Sequence, residues 1–323
     1  MKSTTKTLAL SITFAAALAA CGGGGGGTTT TTATTAATTP PPVPVAINSI
    51  VTSVPVATYA TGSDERIAYD YLNAERQKCG FGLLAQDARL DASAAAHVSY
   101  EIANNVAGHT ETPGLPGFTG VDPPARALSK GYPSPAVSEQ GAFGKGGLAN
   151  IRALLAAPYH LANLTIFATD VGLSYQSTTL SQLVSNALFL NLGYKGTTVQ
   201  LPNAGTVLTY PCDGVAASTL SFFEDINWAS PVGTGSGGAP VVITAPNGET
   251  LVINSASITP AGGGVVPIVV LTADNDPQKR LRKGDAFVIP LPSLAPNTSY
   301  RVQITGTASG VPFGKDFTFK TGS

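Results

Sequence analysis

Apolar residues are distributed along this chain in three ways. From Leu8 to Ala20 they run almost unbroken. Over residues 64–157 they recur at helical spacing, and beyond residue 240 they alternate, or cluster in short blocks between turn residues. In the helical stretch, Ser63 is placed as an N-cap for a helix through Cys79, with Ile67, Tyr71 and Ala74 on one face and Gly80 as its stop. Asp91 predicts the cap of a second helix through Ala95, Ala96, Ser99, Ile102 and Ala103 to Asn105. Asp122 before Pro123 predicts a third, ending near Gly131. Residues 147–157 carry Leu148, Ile151 and Leu155 on one side, and Pro158 is expected to end that helix. Short strands are expected at 170–175, 187–194 and 207–210. Helices first and strands later predict an α+β layering.

Residues 229–239 are rich in Gly, Ser and Pro and read as a linker. After them, strands are expected at 241–244, 251–258, 265–271, 287–291, 300–304 and 313–319, with Asn247-Gly248 as a hairpin turn after the first. Regularly spaced short strands predict an all-β sandwich over 240–323. The run Leu294-Ala295-Pro296-Asn297-Thr298-Ser299-Tyr300 resembles a stretch of fibronectin type III domains. There the Tyr hydroxyl returns to the backbone, so the resemblance implies an Ig-like architecture.

The chain has 323 residues, enough for two domains with a leader and a linker. Lys2 and Lys6 precede an apolar run too short to span a membrane as a mature helix. It ends Leu18-Ala19-Ala20-Cys21, which resembles the lipobox of bacterial lipoproteins. The resemblance implies export, removal of residues 1–20 and acylation of Cys21, so that the membrane is a partner through N-terminal lipid. Gly22 after the Cys favours the outer membrane if the cell is Gram-negative. An ordinary signal peptide cut nearby is the alternative. Residues 22–62 begin with Gly22 to Gly27 and a Thr/Ala run, and read as a disordered tether. With 18 Lys plus Arg against 19 Asp plus Glu and no basic stripe, the composition argues against nucleic acid as a partner.

Two further cysteines, Cys79 and Cys212, can pair in an oxidising compartment; two buried free thiols are the alternative. Three histidines, His97, His109 and His160, all precede the linker. Their surroundings are similar to motifs of the CAP superfamily, the group of cysteine-rich secretory proteins, antigen 5 and PR-1. Leu72-Asn73-Ala74-Glu75-Arg76 matches its L-N-x-x-R helix, His97 and His109 match two histidines twelve apart, and Pro158-Tyr159-His160-Leu161-Ala162-Asn163 matches its last histidine motif. The resemblance covers about residues 64–176. It implies a CAP-like α-β-α sandwich over 63–228, with His109, Glu139 and His160 in one cleft and His97 packed in the core. The family's G-E-N motif survives only as Ser138-Glu139-Gln140, and its second Glu has no counterpart, although Glu111 is nearby in sequence.

Two imidazoles and a carboxylate make a competent set for a divalent metal such as Zn²⁺. No cofactor is established by the sequence, and a hydrogen-bonded polar cluster is the competing reading. Nucleophile-elbow and H-E-x-x-H motifs are absent. Three functions stay open: a binding module for an unidentified extracellular or envelope ligand, a metal-dependent hydrolase, and a purely structural surface protein. Asp274, Asn275 and Asp276 are expected to form a solvated acidic loop.

Overall fold

The computed structural model describes residues 45–47, 49–181, 184–194, 198–216, 218–223 and 236–323. The leader, Cys21, the tether up to residue 44 and linker positions 229–235 lie outside the described residues. The elements run β1 (Val45–Ile47), α1 (Asp64–Lys78), β2 (Ala85–Gln86), α2 (Ala88–Asn104), α3 (Pro123–Ser129), β3 (Val137–Phe143), α4 (Gly147–Ala156), α5 (Pro158–Leu164), β4 (Asp170–Ser177) and β5 (Asn186–Gly193). Strands follow: β6 (Thr198–Gln200), β7 (Leu208–Tyr210), β8 (Ser221–Phe223), β9 (Ser236–Gly238), β10 (Val241–Thr244), β11 (Leu251–Pro260), β12 (Ile268–Thr272), β13 (Asp285–Pro290), β14 (Ser299–Ala308) and β15 (Val311–Lys320).

The helical half is built on a mixed sheet in the order β2-β4-β5-β3. Side chains alternate across it with the strand period. Leu188, Leu190 and Leu192 of β5 join a core with α1, α4 and α5, whereas Ala187 and Phe189 join Ala94 and Val98 of α2. Helices therefore cover both faces. The α2 helix presses closest at Gly172, where an added Cβ would lie 2.2 Å from the backbone of Leu90 and Asp91, so no side chain fits.

Local chemistry explains where the helices begin and end, and moves the expected start of the second helix. Ser63 caps α1 as expected, its Oγ accepting from Arg66 N at 3.2 Å. The second helix starts earlier than expected, because Asp87 is its cap and accepts from Arg89 N at 2.9 Å. Asp91 instead sits inside α2 and accepts from Tyr59 Oη, Gln86 Nε2 and Leu173 N at 2.5–2.8 Å, which ties three segments together. Pro158 ends α4 but also opens α5, since a missing N–H costs nothing in a first turn. Strand β3 was not expected from its mostly polar residues. It is the edge strand, where one side needs no sheet partner.

The L-N-x-x-R motif organises the end of α1. The buried Arg76 guanidinium donates to the carbonyls of Gly82, Leu164, Ile166 and Phe81 at 2.5–3.0 Å. Asn73 exchanges two hydrogen bonds with the backbone of Leu84.

The expected tether does not extend to residue 62. β1 pairs in parallel with β6, Val51 N donates to Gln200 Oε1 at 2.8 Å, and Ala57 is buried. Residues 45–47 and 49–62 are thus part of the packed structure.

Beyond the first sheet, two antiparallel sheets form, in the orders β12-β13-β10-β7 and β11-β14-β15. Strand β7, expected in the first domain, pairs with β10 instead, Tyr210 opposite Val242. The Asn247-Gly248 turn is not a hairpin: β10 and β11 belong to different sheets. All four β10 side chains are buried, so that strand lies inside its sheet between β13 and β7 rather than beside its sequence neighbour. Tyr300 Oη accepts from Ala295 N at 2.7 Å, closing the loop before β14 as the local motif predicts.

One hydrophobic core runs through both halves, from Leu72 and Leu154 to Val288 and Phe319, and the described residues from Val45 onward pack as one compact unit. The disulfide Cys79–Cys212 joins the end of α1 to the residue two beyond β7, with Cα atoms 5.5 Å apart. Tyr210 Oη donates to Glu75 and Lys78 Nζ to the Gly214 carbonyl at the same junction. Among the described residues no helix is long and apolar enough to cross a membrane.

Candidate functional site

The last turn of α2 delivers the chain into a loop that folds back on the helix. Asn105 takes the left-handed conformation that ends α2, with φ 50°. Glu111 then turns inward. Its carboxylate accepts from Thr119 N at 2.6 Å and Gly120 N at 3.3 Å, closing the loop around itself. Asp122 caps α3 through Ala125 N, and α3 points Arg126 at the sheet. Edge strand β3 supplies Glu139 and Gln140, which project to opposite faces because they are consecutive.

These elements bury a cluster of charge: His97, Glu101, Glu111, Arg126 and Glu139, each with a side chain no more than 1% exposed. His97 Nδ1 lies 3.0 Å from Glu111 Oε1, and Nε2 lies 2.9 Å from the Gly108 carbonyl. His97 thus bridges the Glu111 carboxylate and the loop backbone. Arg126 donates to Glu139 Oε1 at 2.7 Å and to the His109 carbonyl at 3.1 Å. Burial pushes the Glu101 carboxyl up to about 8, against the backbone N–H of Gly108 that bonds it, with the charges of Glu139 and Glu111 adding to the rise. A neutral Glu101 lessens the negative charge that Glu111 and Glu139 gather around Arg126.

His109 hangs on the outer side of this cluster. Its Nδ1 lies 3.1 Å from Glu139 Oε1, and its side chain is 47% exposed. Glu139 itself is saturated. Arg126 and His109 share Oε1, and the Asn191 amide, oriented to satisfy its neighbours, donates to Oε2 at 3.2 Å. His160, on α5, lies on the other face of β3 and meets Gln140, not Glu139: its Nδ1 is 2.6 Å from Gln140 Oε1. Burial, then the charges of His109 and Arg280, lower His160 to about 4.

The three expected cleft residues therefore reach the same sheet edge but not one point. Glu139 is buried and orients His109, while Gln140 orients His160. In each ring Nδ1 donates to an oxygen, leaving Nε2 as the atom that can accept. Among the described residues, no group of three or more His, Cys, Asp or Glu side chains is arranged to hold a metal ion. Glu111 does not complete a cleft set either; it holds His97 and its own loop. His97 is fully buried, and its ring bonds Glu111 and the Gly108 carbonyl at the heart of the charged cluster.

No protein-family model matches the sequence, and no curated protein matches it. Among solved structures, an extracellular protein containing an SCP domain from Bacillus anthracis str. Ames is similar with TM-score 0.35 and 20% identity, covering 41% of this chain and 40% of that one. An outer surface protein from Borrelia burgdorferi is similar with TM-score 0.36 and 21% identity, covering 42% of this chain and 96% of that one. This chain thus spans well under two thirds of the first protein's length. At these scores the site has to be judged on its own geometry.

Sequence reasoning missed Arg126, Glu101 and Gln140. Glu101 had a readable signal, since it lies four residues after His97 on one helix. Arg126 had none, because an Arg on a short helix ordinarily points to water. The C-terminal half also reaches the site. Tyr159 Oη donates to Asp276, whose carboxylate also caps its own turn through the N–H groups of Gln278, Arg280 and Leu281. Asp276 is only 4% exposed, which corrects the expectation of a solvated loop at that position.

Proposed function

We infer that this chain is an exported, lipid-anchored envelope protein of CAP-like type whose sheet edge at His109 and His160 binds a ligand from outside the cell. Its C-terminal strands make an Ig-like or fibronectin type III-like sandwich that helps to present that edge. The observation carrying this reading is the state of Glu139. A metal-dependent hydrolase built on Glu139 needs that carboxylate free to take a proton from water, whereas Glu139 is buried and bonded on both oxygens. The anchor rests on Leu18-Ala19-Ala20-Cys21.

Two oriented imidazoles, each with Nε2 available, support a second reading as a metal-dependent hydrolase. Glu139 and Gln140 would then stand behind the ligating rings as outer partners. Zn²⁺ titration followed on the histidine ring resonances, with peptidase assays of the native chain and of His109→Ala and His160→Ala, separates the two. Turnover that needs both rings overturns the binding reading. For the anchor, Cys21→Ser should move the protein from the membrane to the soluble fraction, and retention in the membrane would count against it.

A further inference from the structure

The groups that face outward at this edge define a ligand chemistry. Three carboxylates of this region are turned inward and engaged: Glu139 by Arg126 and His109, Glu111 by His97 and its loop, and Asp276 by Tyr159 and three backbone N–H groups; Asp274, on the same segment as Arg280, is exposed. What remains outward is basic or accepting. His109 and His160 have their Nδ1 positions occupied, so their Nε2 atoms accept hydrogen bonds from O–H donors. Arg280, from the segment between β12 and β13, brings a permanent charge to the same place. Its backbone N–H is held by Asp276 Oδ2 at 2.6 Å, and its guanidinium carbon lies 5.9 Å from the centre of the Tyr159 ring, one residue from His160. The guanidinium is exposed, and among the described residues no carboxylate pairs with it. A fixed cation beside His160 opposes a metal ion and favours a ligand carrying an anionic group.

Resting on the binding reading above, we propose that this edge recognises an acidic saccharide, with hydroxyl groups donating to Nε2 of His109 and His160 and a carboxylate pairing with Arg280. The C-terminal half is then part of the site, and Arg280 is its specificity-determining residue. Arg presents a planar fork that matches a carboxylate, while an imidazole lone pair suits a hydroxyl.

The test follows the histidine ring resonances of the full chain during titration with glucuronate, glucose and acetate, with Zn²⁺ as a separate arm. Glucuronate should saturate with a Kd of about 1 mM. Glucose and acetate should each bind about tenfold more weakly, since each lacks one half of the recognised pattern. Arg280→Gln, at an exposed position, should reduce glucuronate to the glucose level and leave glucose unchanged. Equal binding of glucuronate and glucose, or an unaltered Arg280→Gln variant, overturns the proposal. Binding of Zn²⁺ without any sugar response overturns it while sparing the edge as a ligand site. No response to any probe overturns both.

Discussion

A buried carboxyl, Glu101, and a half-buried imidazole, His160, make stability depend on pH in opposite directions. Glu101 is held protonated up to about 8 against an ordinary 4.5, so between those values the folded chain binds more protons than the unfolded one. Stability from Glu101 is therefore fully present below 4.5 and declines as pH rises toward 8. His160 is depressed from 6.5 to about 4, so there the unfolded chain binds more protons, and stability is lost as pH falls through that window. The two slopes oppose each other in mild acid and leave Glu101 alone near neutrality. Raising the pH from 6.5 to 8 should cost the native chain about 1–2 kcal/mol from this group. Glu101→Gln should flatten the Tm profile across that interval; an unchanged slope would show that Glu101 is not the titrating group.

At the level of elements, α1 is held by the contacts Arg76 makes rather than by its own propensity. One guanidinium closes four carbonyls drawn from two separate loops. An ammonium has three donors on a flexible stem and cannot span them, so Arg76→Lys leaves buried carbonyls without partners. The expected loss is about 2–4 kcal/mol by urea denaturation with a normal m-value. A loss under about 0.5 kcal/mol would mean that water or local rearrangement replaces the network. Element α3 makes the complementary point. It has only seven residues and could not persist alone, yet its one buried cation pairs with Glu139, the interior carboxylate that holds His109.

For the whole molecule, the decisive contact is β7 beside β10. It places a strand from before residue 224 in a sheet made otherwise from residues after 236, and Cys79–Cys212 fixes that strand to α1. A protease site introduced between residues 224 and 235 should give two pieces that co-elute in native size-exclusion chromatography and separate only in denaturant. Elution of the N-terminal piece alone would refute a shared core. Cys79→Ala with Cys212→Ala should lower stability by about 2–5 kcal/mol, since the bond closes a separation of 133 residues.

Local order was legible where one residue's chemistry decides it. Ser63, Asp122 and Pro123 mark helix starts because a cap needs only its own next turn, and Tyr300 meets the loop just before it. The strand at 186–193 was legible because burial on both faces leaves a nearly continuous apolar run, and the strand at 170–177 because Val171, Leu173 and Tyr175 recur at alternate positions. Edge strand β3 was not legible, because its polar pattern is set by what packs on it: Arg126 and His109 on one face, His160 on the other. The resemblance implied one cleft for His109, Glu139 and His160, but a linear motif does not contain the parity that sends Glu139 and Gln140 to opposite faces. Nor does it contain the approach of Arg280 from more than a hundred residues away. Sequence determined most of the helices and longer strands and the candidate residue types; tertiary structure decided which carboxylates are consumed inside and which bases are left facing out, because burial and pairing depend on partners that only the folded chain brings together.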